Sequence, residues 1–310
     1  MRIVQIGTGG WGKNHTRVLS QLGVLTAVCD TDAKKSSQYA KTYSVNNYQT
    51  VESMLESEDF DAAFVCTPTV THHKITSQLL EAKKHVFVEK PMTYLSEDGE
   101  DLVKMAEKNN VLLTCGYIER FNPAVDTVKN IVKSKKYGEL VMLEFHRENR
   151  MPPHIKDVGI IYDTSVHDID TAMWLFDDTP EMVFAKAGQI KHEHEDFASI
   201  MLGFKDKIAI ISSNWITPTR VRTFNAVCTD AVISSDFISQ AVKIEKNGNT
   251  ESPKTAKEEP LLREIQSFIG AIEGKNEIIV KPKEAVNVTK IAEAALLSSQ
   301  KGTPIYLELK

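Results

Sequence analysis

Through its first 120 residues the chain alternates short, β-branched apolar runs with longer stretches whose apolar positions recur at helical spacing. That rhythm belongs to parallel strands joined by crossover helices. It predicts strands over residues 2–6, 25–30, 62–67, 85–89 and 111–117, and helices over 14–22, 51–57, 72–82 and 97–109. Ser96, followed by Glu97 and Asp98, reads as the N-terminal signal of the last helix. The expected class for this half is a doubly wound α/β layer.

Past Tyr117 the rhythm changes. Helices are predicted over 123–133 and 163–176, with a strand ending near Arg147 and a loop containing Pro152-Pro153 between them. Six strands follow at 181–189, 197–204, 208–215, 223–228, 231–237 and 240–245, with connections short enough for an antiparallel meander. A polar surface loop at 247–257, helices at 260–272 and 283–299 and a last strand at 304–309 complete the chain. A chain of 310 residues exceeds one compact core, so two domains are expected. Residues 1–120 form one, and residues 121–310 form an α+β domain with a large, mainly antiparallel open sheet.

Composition narrows the function mainly by exclusion. With 25% charged residues and a net charge of -5, neither a nucleic-acid surface nor a polybasic membrane patch is expected. The sequence runs from Met1 straight into a strand and a glycine turn and has no long apolar run, which predicts a cytoplasmic protein. Cys29, Cys66, Cys115 and Cys228 are far apart and read as packed thiols, so neither disulfides nor a metal are expected.

The glycine turn carries the first chemistry. Gly7-Thr8-Gly9-Gly10-Trp11-Gly12 fits G-x-G-x-x-G after a predicted strand and before a helix, and Asp30 follows at the end of the next strand. In this setting Gly7 allows the turn, Gly9 lets backbone approach a pyrophosphate, and Gly12 lets helix and strand pack. Asp30 suits a ribose hydroxyl and repels a 2′-phosphate, which favours NAD over NADP in a Rossmann domain.

Three further motifs follow in order: Thr67-Pro68-Thr69-x-x-His72, Glu89-Lys90-Pro91 and Asp163-x-x-x-His167-Asp168. Together with the glycine turn they resemble the glucose-fructose oxidoreductase/inositol dehydrogenase (Gfo/Idh/MocA) family. Residues 152–159, Glu195-Asp196, 214–222 and 259–262 look like the branch that oxidises UDP-N-acetylglucosamine at its 3-hydroxyl, while His154 and Asn149-Arg150-Met151 depart from that branch. The resemblance implies an NAD-dependent dehydrogenase that turns a secondary hydroxyl of a nucleotide sugar into a ketone. It also implies a homodimer or homotetramer assembled through the second domain's sheet. Another sugar or a polyol such as inositol, or a glycosidase that retains its NAD, are the alternatives; a non-catalytic NAD-binding protein would be expected to lack the Lys, Asp and His of these motifs.

Oxidising an alcohol requires a base for the hydroxyl proton and a group to hold the oxygen. Lys90 and His167 are the candidates, and the choice of base between them stays open. Asp163, four residues before His167, shares its helical face and would position substrate or tune its basic neighbours. Thr67 and Pro68 lie past a parallel strand's carboxyl end, where cofactor contact is expected, joined by Glu89, Lys90 and His72, the last as a cofactor contact or a helix cap. Pro91 is expected to shape the turn after Lys90, with a cis bond as one form. For a diphosphate, Arg220 and Arg222 offer guanidinium forks, Arg150 and Lys156 add charge, and Trp215 and Pro218 stand ready to line the pocket. His73 and the run His192-Glu193-His194-Glu195 lack a convincing metal-ligand set, and the run reads as a solvated turn.

Overall fold

The structure, a computed structural model, describes residues 1–152 and 155–309; Pro153 and His154 of the proline loop, and Lys310, lie outside the described residues. Its contacts divide the chain into two compact units, Met1–Gly116 with Leu261–Val286, and Tyr117–Pro260 with Asn287–Lys310.

Unit 1 is built on six parallel strands, β1 (Ile3–Ile6), β2 (Leu25–Cys29), β3 (Asn46–Tyr48), β4 (Ala62–Val65), β5 (His85–Glu89) and β6 (Leu113–Gly116). Their order is β3-β2-β1-β4-β5-β6, a Rossmann sheet. β1, β4 and β6 are buried at every position, which is why they read as unbroken apolar runs rather than alternating ones. The helices are α1 (Gly12–Gln21), α2 (Ala33–Tyr43), α3 (Val51–Ser57), α4 (His72–Glu81) and α5 (Ser96–Asn109). Strand order reverses between β1 and β4, and ligands of open α/β sheets bind at such a switch point. Gly7, just past β1, and Cys66, just past β4, meet there: the Cys66 N–H donates to the Ile6 carbonyl at 2.8 Å.

In unit 2, α6 (Pro123–Ser134) and α7 (Val166–Phe176) pack on a nine-stranded sheet. Its strands are β7 (Leu140–Glu148), β8 (Met182–Gly188), β9 (Phe197–Phe204), β10 (Lys207–Asn214), β11 (Val221–Cys228), β12 (Val232–Asp236), β13 (Ala241–Lys246), β14 (Asn249–Glu251) and β15 (Ile305–Tyr306). The order is β14-β13-β12-β11-β7-β10-β9-β8-β15, antiparallel throughout except for the parallel pair β7 and β10. Burial alternates along β9 and β13, as expected of a sheet covered on one face. Two late helices, α8 (Pro260–Ile272) and α9 (Pro282–Lys301), precede β15.

A single cut near residue 120 does not describe these units, because Leu261–Val286 returns to unit 1. The physical reason is aromatic: Phe64 and Phe87 stack at 4.6 Å on β4 and β5, and Phe268 of α8 meets both edge-on at 5.7 and 5.9 Å. Such pairs add about 0.5–1.5 kcal/mol each beyond area burial. Helix α2 and strand β3 are additions to the predicted set. α2 buries only Ser36 and Ala40, and β3 is an edge strand of sequence Asn-Asn-Tyr, so neither carries an apolar period. Ser96 lies inside α5 rather than capping it; Leu95 holds the cap position without a side-chain bond, and Glu97 and Asp98 occupy the first turn. The predicted helix over 163–176 is an α-helix only from Val166, preceded by a π turn at Ile161–Ser165. The 247–257 loop contains β14, and the last strand shortens to Ile305–Tyr306. Among the described residues no helix is long and apolar enough to cross a membrane.

Candidate active site

The glycine turn in unit 1 owes its shape to two crowded positions and one open one. Gly7 has φ +80°, and a Cβ there would lie 2.3 Å from the Cys66 carbonyl oxygen. A Cβ on Gly12 would lie 2.0 Å from the Gly7 carbonyl oxygen, whereas one on Gly9 would meet nothing within 4 Å. Gly9 therefore faces open space over which a ligand can approach the backbone. No side chain caps the N-terminus of α1 and no acid lies in its first turn, leaving its amide dipoles to an incoming anion. Asp30 braces the turn from β2: its Oδ2 accepts from both the N–H and the hydroxyl of Thr8 at 2.8 Å, and its Oδ1 from the Asp32 N–H at 2.9 Å. Gly10 has φ +38°, and the Trp11 ring is 44% exposed beside it. These residues fit an NAD molecule, with a pyrophosphate over Gly9 and an acid at the end of β2.

Lys90 follows β5 and is half-buried, and the Lys90–Pro91 peptide is cis. Glu89 is buried above Gly116, where an added Cβ would lie 2.9 Å from its Oε1. Its Oε1 lies 2.7 Å from His15 Nε2, and its Oε2 accepts the Lys90 N–H at 3.1 Å. Glu89 thus supports the residue after it. Among the described residues, His15, Cys66 and Glu89 bring three metal-ligating atoms within 4.8 Å of one another, but the histidine and the carboxylate already bond each other. Burial, then the Glu89 charge, raises the Cys66 thiol well above its ordinary pKa, so it is no nucleophile. Thr67 and exposed Pro68 sit past β4 as expected; the Thr71 hydroxyl, 2.7 Å from the Thr67 hydroxyl, donates to the Pro68 carbonyl at 2.7 Å. His72, expected as a cofactor contact or a cap, is only 1% exposed, and both its ring nitrogens lie against backbone carbonyls.

In unit 2, Asp163 lies in the π turn and His167 in the first turn of α7. Every residue from Val158 to Met173 is buried except these two, so together they are the open positions of the segment. The Thr164 hydroxyl donates to Asp163 Oδ2 at 3.1 Å. π turns are rare and concentrate at functional sites. Of the four cations expected near substrate, Arg150, Lys156 and Arg220 are exposed, and Arg222 is the half-buried one. Its Nε is buried with no hydrogen-bond partner. Burial, with Arg147 and Arg220 adding like charge, pushes its pKa down to about 10. An anion placed against it would relieve both penalties. Trp215 is buried rather than lining an open surface; in the run from His192, His192 is buried edge-on against it at 5.3 Å, Glu193 is exposed, and His194 and Glu195 are half-buried.

Residues 1–117 match the model of an oxidoreductase family with an NAD-binding Rossmann fold, and residues 125–234 match the GFO/IDH/MocA C-terminal domain. The chain belongs to the Gfo/Idh/MocA family of NAD-binding oxidoreductases. Its sequence is 25% identical over 283 residues to UDP-N-acetylglucosamine 3-dehydrogenase of Acidithiobacillus ferrooxidans, covering 88% of each chain. It is 27% identical over 321 residues to inositol 2-dehydrogenase of Rhizobium meliloti, covering 96% of each. A solved structure of the Acidithiobacillus ferrooxidans enzyme shares the fold with a TM-score of 0.89 at 24% identity, over 97% of this chain and 98% of that one.

Several residues that shape this Gfo/Idh/MocA site carry no motif of their own. Arg147 on β7 is 1% exposed; its guanidinium forks onto Asp168 and reaches Glu119 Oε1 at 3.1 Å, while Arg120 forks onto Asp170. Asp168 and Asp170 follow His167 on α7, so these ion pairs anchor the helix that carries it. Burial raises the Asp168 pKa against the pull of Arg147. Glu195 accepts the Ile161 N–H at 3.1 Å and packs where a Cβ on Gly159 would lie, fixing the entry to the π turn. The separations of 21, 28, 34 and 50 residues hide these partners from any local pattern.

Proposed function

We propose that this oxidoreductase oxidises a secondary hydroxyl of a nucleotide sugar to a ketone, with the 3-hydroxyl of UDP-N-acetylglucosamine as the leading substrate. The observation that carries this reading is Arg222, a half-buried arginine whose buried Nε has no hydrogen-bond partner in its own chain. A diphosphate supplies both the missing acceptor and a compensating negative charge, whereas a neutral polyol supplies hydroxyl acceptors without the charge. When bound, NAD supplies the hydride acceptor for the alcohol carbon. Gly7, Thr8, Gly9, Gly10, Trp11 and Gly12 would hold its pyrophosphate end, Asp30 its adenosine ribose, and Thr67, Pro68 and the Glu89-Lys90 turn its remainder.

The chain's own groups handle the proton. His167 takes it from the hydroxyl as the carbonyl forms, Lys90 hydrogen-bonds the same oxygen, and Asp163 orients the sugar; exchanging the roles of Lys90 and His167 leaves the balance unchanged. Arg222 grips the phosphate, with the exposed Arg220, Arg150 and Lys156 as further contacts. The second reading is a polyol dehydrogenase, favoured by the 27% identity to an inositol 2-dehydrogenase over 96% of both chains.

The open face of the nine-stranded sheet suits a second copy of the chain. Phe184, Met201 and Ile210 lie side by side across β8, β9 and β10, with Phe184 and Ile210 38% and 37% exposed.

The test is NADH absorbance with UDP-N-acetylglucosamine, UDP-galactose, glucose and inositol, each with NAD. A signal confined to UDP-sugars supports the reading, and one confined to free sugar or inositol replaces it with the second. Lys90→Ala and His167→Ala should each lower kcat by about 10²–10⁴-fold; intact turnover in Lys90→Ala would remove that residue from the chemistry.

A further inference from the structure

His15 lies in the first turn of α1, the helix that opens at the end of the glycine turn. Its ring is fully buried, with its centroid 5.7 Å from that of Phe64 and 5.4 Å from that of Phe87. Nδ1 is buried without a hydrogen-bond partner among the described residues, so an apolar side chain would fill this place without that loss. Packing is therefore not what the imidazole adds. Its other nitrogen, Nε2, lies 2.7 Å from Glu89 Oε1.

Glu89 turns that contact toward the chemistry. It ends β5 beside Gly116 of β6, where an added Cβ would lie 2.9 Å from Oε1 and 3.1 Å from Oε2. The carboxylate has little room to turn, and each oxygen accepts from a different donor: Oε1 from His15 Nε2, and Oε2 from the Lys90 N–H at 3.1 Å. A carboxylate only accepts, so the ring supplies the hydrogen, and bonds to an ionised acceptor are strong ones. Without that hydrogen Oε1 is stranded in a buried site, and the carboxylate must turn or take up a proton. Either change alters the acceptor that Oε2 offers to Lys90.

We propose that His15 is a positioning residue: through Glu89 it fixes the backbone of Lys90, and so ties the helix that opens at the glycine turn to the lysine assigned to the substrate oxygen. This rests on the role of Lys90 proposed above. His15 is 0% exposed and offers a ligand no atom, so its loss should show in turnover rather than in NAD affinity.

Kinetics and amide exchange test it. His15→Leu keeps the apolar packing and removes the donor, whereas His15→Gln keeps an N–H near the place of Nε2. At saturating NAD, kcat of His15→Leu should fall roughly 10²-fold, the scale of a misplacement near 1 Å, while NAD affinity by fluorescence titration stays within about threefold. His15→Gln should recover most of that loss. Hydrogen exchange of the Lys90 amide should quicken at least about tenfold in His15→Leu, while the Ile3 amide, bonded to Val24 across the sheet, holds its rate. Unchanged kcat in His15→Leu overturns the proposal, as do equal losses in the two variants, a loss confined to NAD affinity, or unchanged exchange at Lys90. Should His15→Leu fail to fold, Glu89→Gln takes its place: it offers one oxygen to two donors, so the same fall in kcat is expected and unchanged kcat overturns the proposal. Should the unmutated protein turn over no substrate, the functional reading fails, yet exchange at the Lys90 amide still upholds or overturns the link from His15.

Discussion

Arg147 on β7 and Asp168 on α7 form a buried forked ion pair, with Nη2 at 2.8 Å and Nε at 3.1 and 3.2 Å from the carboxylate oxygens. Asp168 thus belongs to the scaffold that presents its neighbour His167. Breaking a buried pair strands a charge and costs about 3–5 kcal/mol. Arg147→Met strands both Asp168 and Glu119, whereas Asp168→Asn leaves Arg147 its Glu119 partner. Urea unfolding should rank Arg147→Met as the more destabilising, with a loss of about 3–5 kcal/mol, and equal losses would refute the ordering.

The glycines of the turn should separate folding from binding. Gly12→Ala drives a Cβ into backbone at 2.0 Å and should cost at least ~1–3 kcal/mol of stability. Gly9→Ala meets no protein atom within 4 Å, so it should melt like the unmutated chain and lose NAD affinity. A Gly9→Ala protein with normal NAD affinity would place the pyrophosphate elsewhere.

Asp30→Ala removes the acceptor that holds Thr8 as well as the proposed ribose contact. NAD affinity should fall by roughly 10–100-fold, the worth of hydrogen bonds to a charged group. Fluorescence titration reads this directly.

Arg222→Met should split stability from recognition. Deleting a half-buried cation with an unpartnered Nε should raise stability by about 1 kcal/mol. Affinity for a UDP-sugar should fall at least about tenfold, the loss expected when one partner of a buried charge pair is truncated. A gain in stability with unchanged UDP-sugar affinity would move the diphosphate to other residues.

Asp196 sets an acid limit. Burial alone would raise its pKa, but the N–H groups of Lys191, Ile190 and His192 outweigh it and hold the carboxyl below its ordinary 3.8. A depressed folded pKa means stabilisation that is complete above 3.8 and lost as pH falls through the lower folded value. Thermal unfolding should show Asp196→Asn less stable by ~1 kcal/mol at neutral pH, with the gap closing in acid.

The legibility of the sequence followed the distance between partners. The glycine turn, Asp30 and the spacing of Asp163 and His167 are local features, and the α/β rhythm of unit 1 comes from strands buried along their length. The ion pairs that Arg147 and Arg120 make with α7 and the bond from His15 to Glu89, 74 residues apart, are non-local, and no window contains both ends. The π turn escaped because a four-residue spacing looks alike in both helix types. His72 was visible as a candidate, but its two carbonyl partners, 5 residues before and 19 residues after it, give its ring a different task from direct cofactor contact. Helix α2 was missed because so few of its residues are buried.

The return of Leu261–Val286 to unit 1 makes the chain pass between units three times, after Gly116, Pro260 and Val286. The last passage falls inside the continuous helix α9. A fragment ending near residue 120 would leave the Phe64 and Phe87 faces without Phe268. Joining one N-terminal half to another C-terminal half therefore does not exchange a whole unit of this chain: the second unit is a pair of segments, Tyr117–Pro260 and Asn287–Lys310, and a chimera needs a splice that keeps α9 in register.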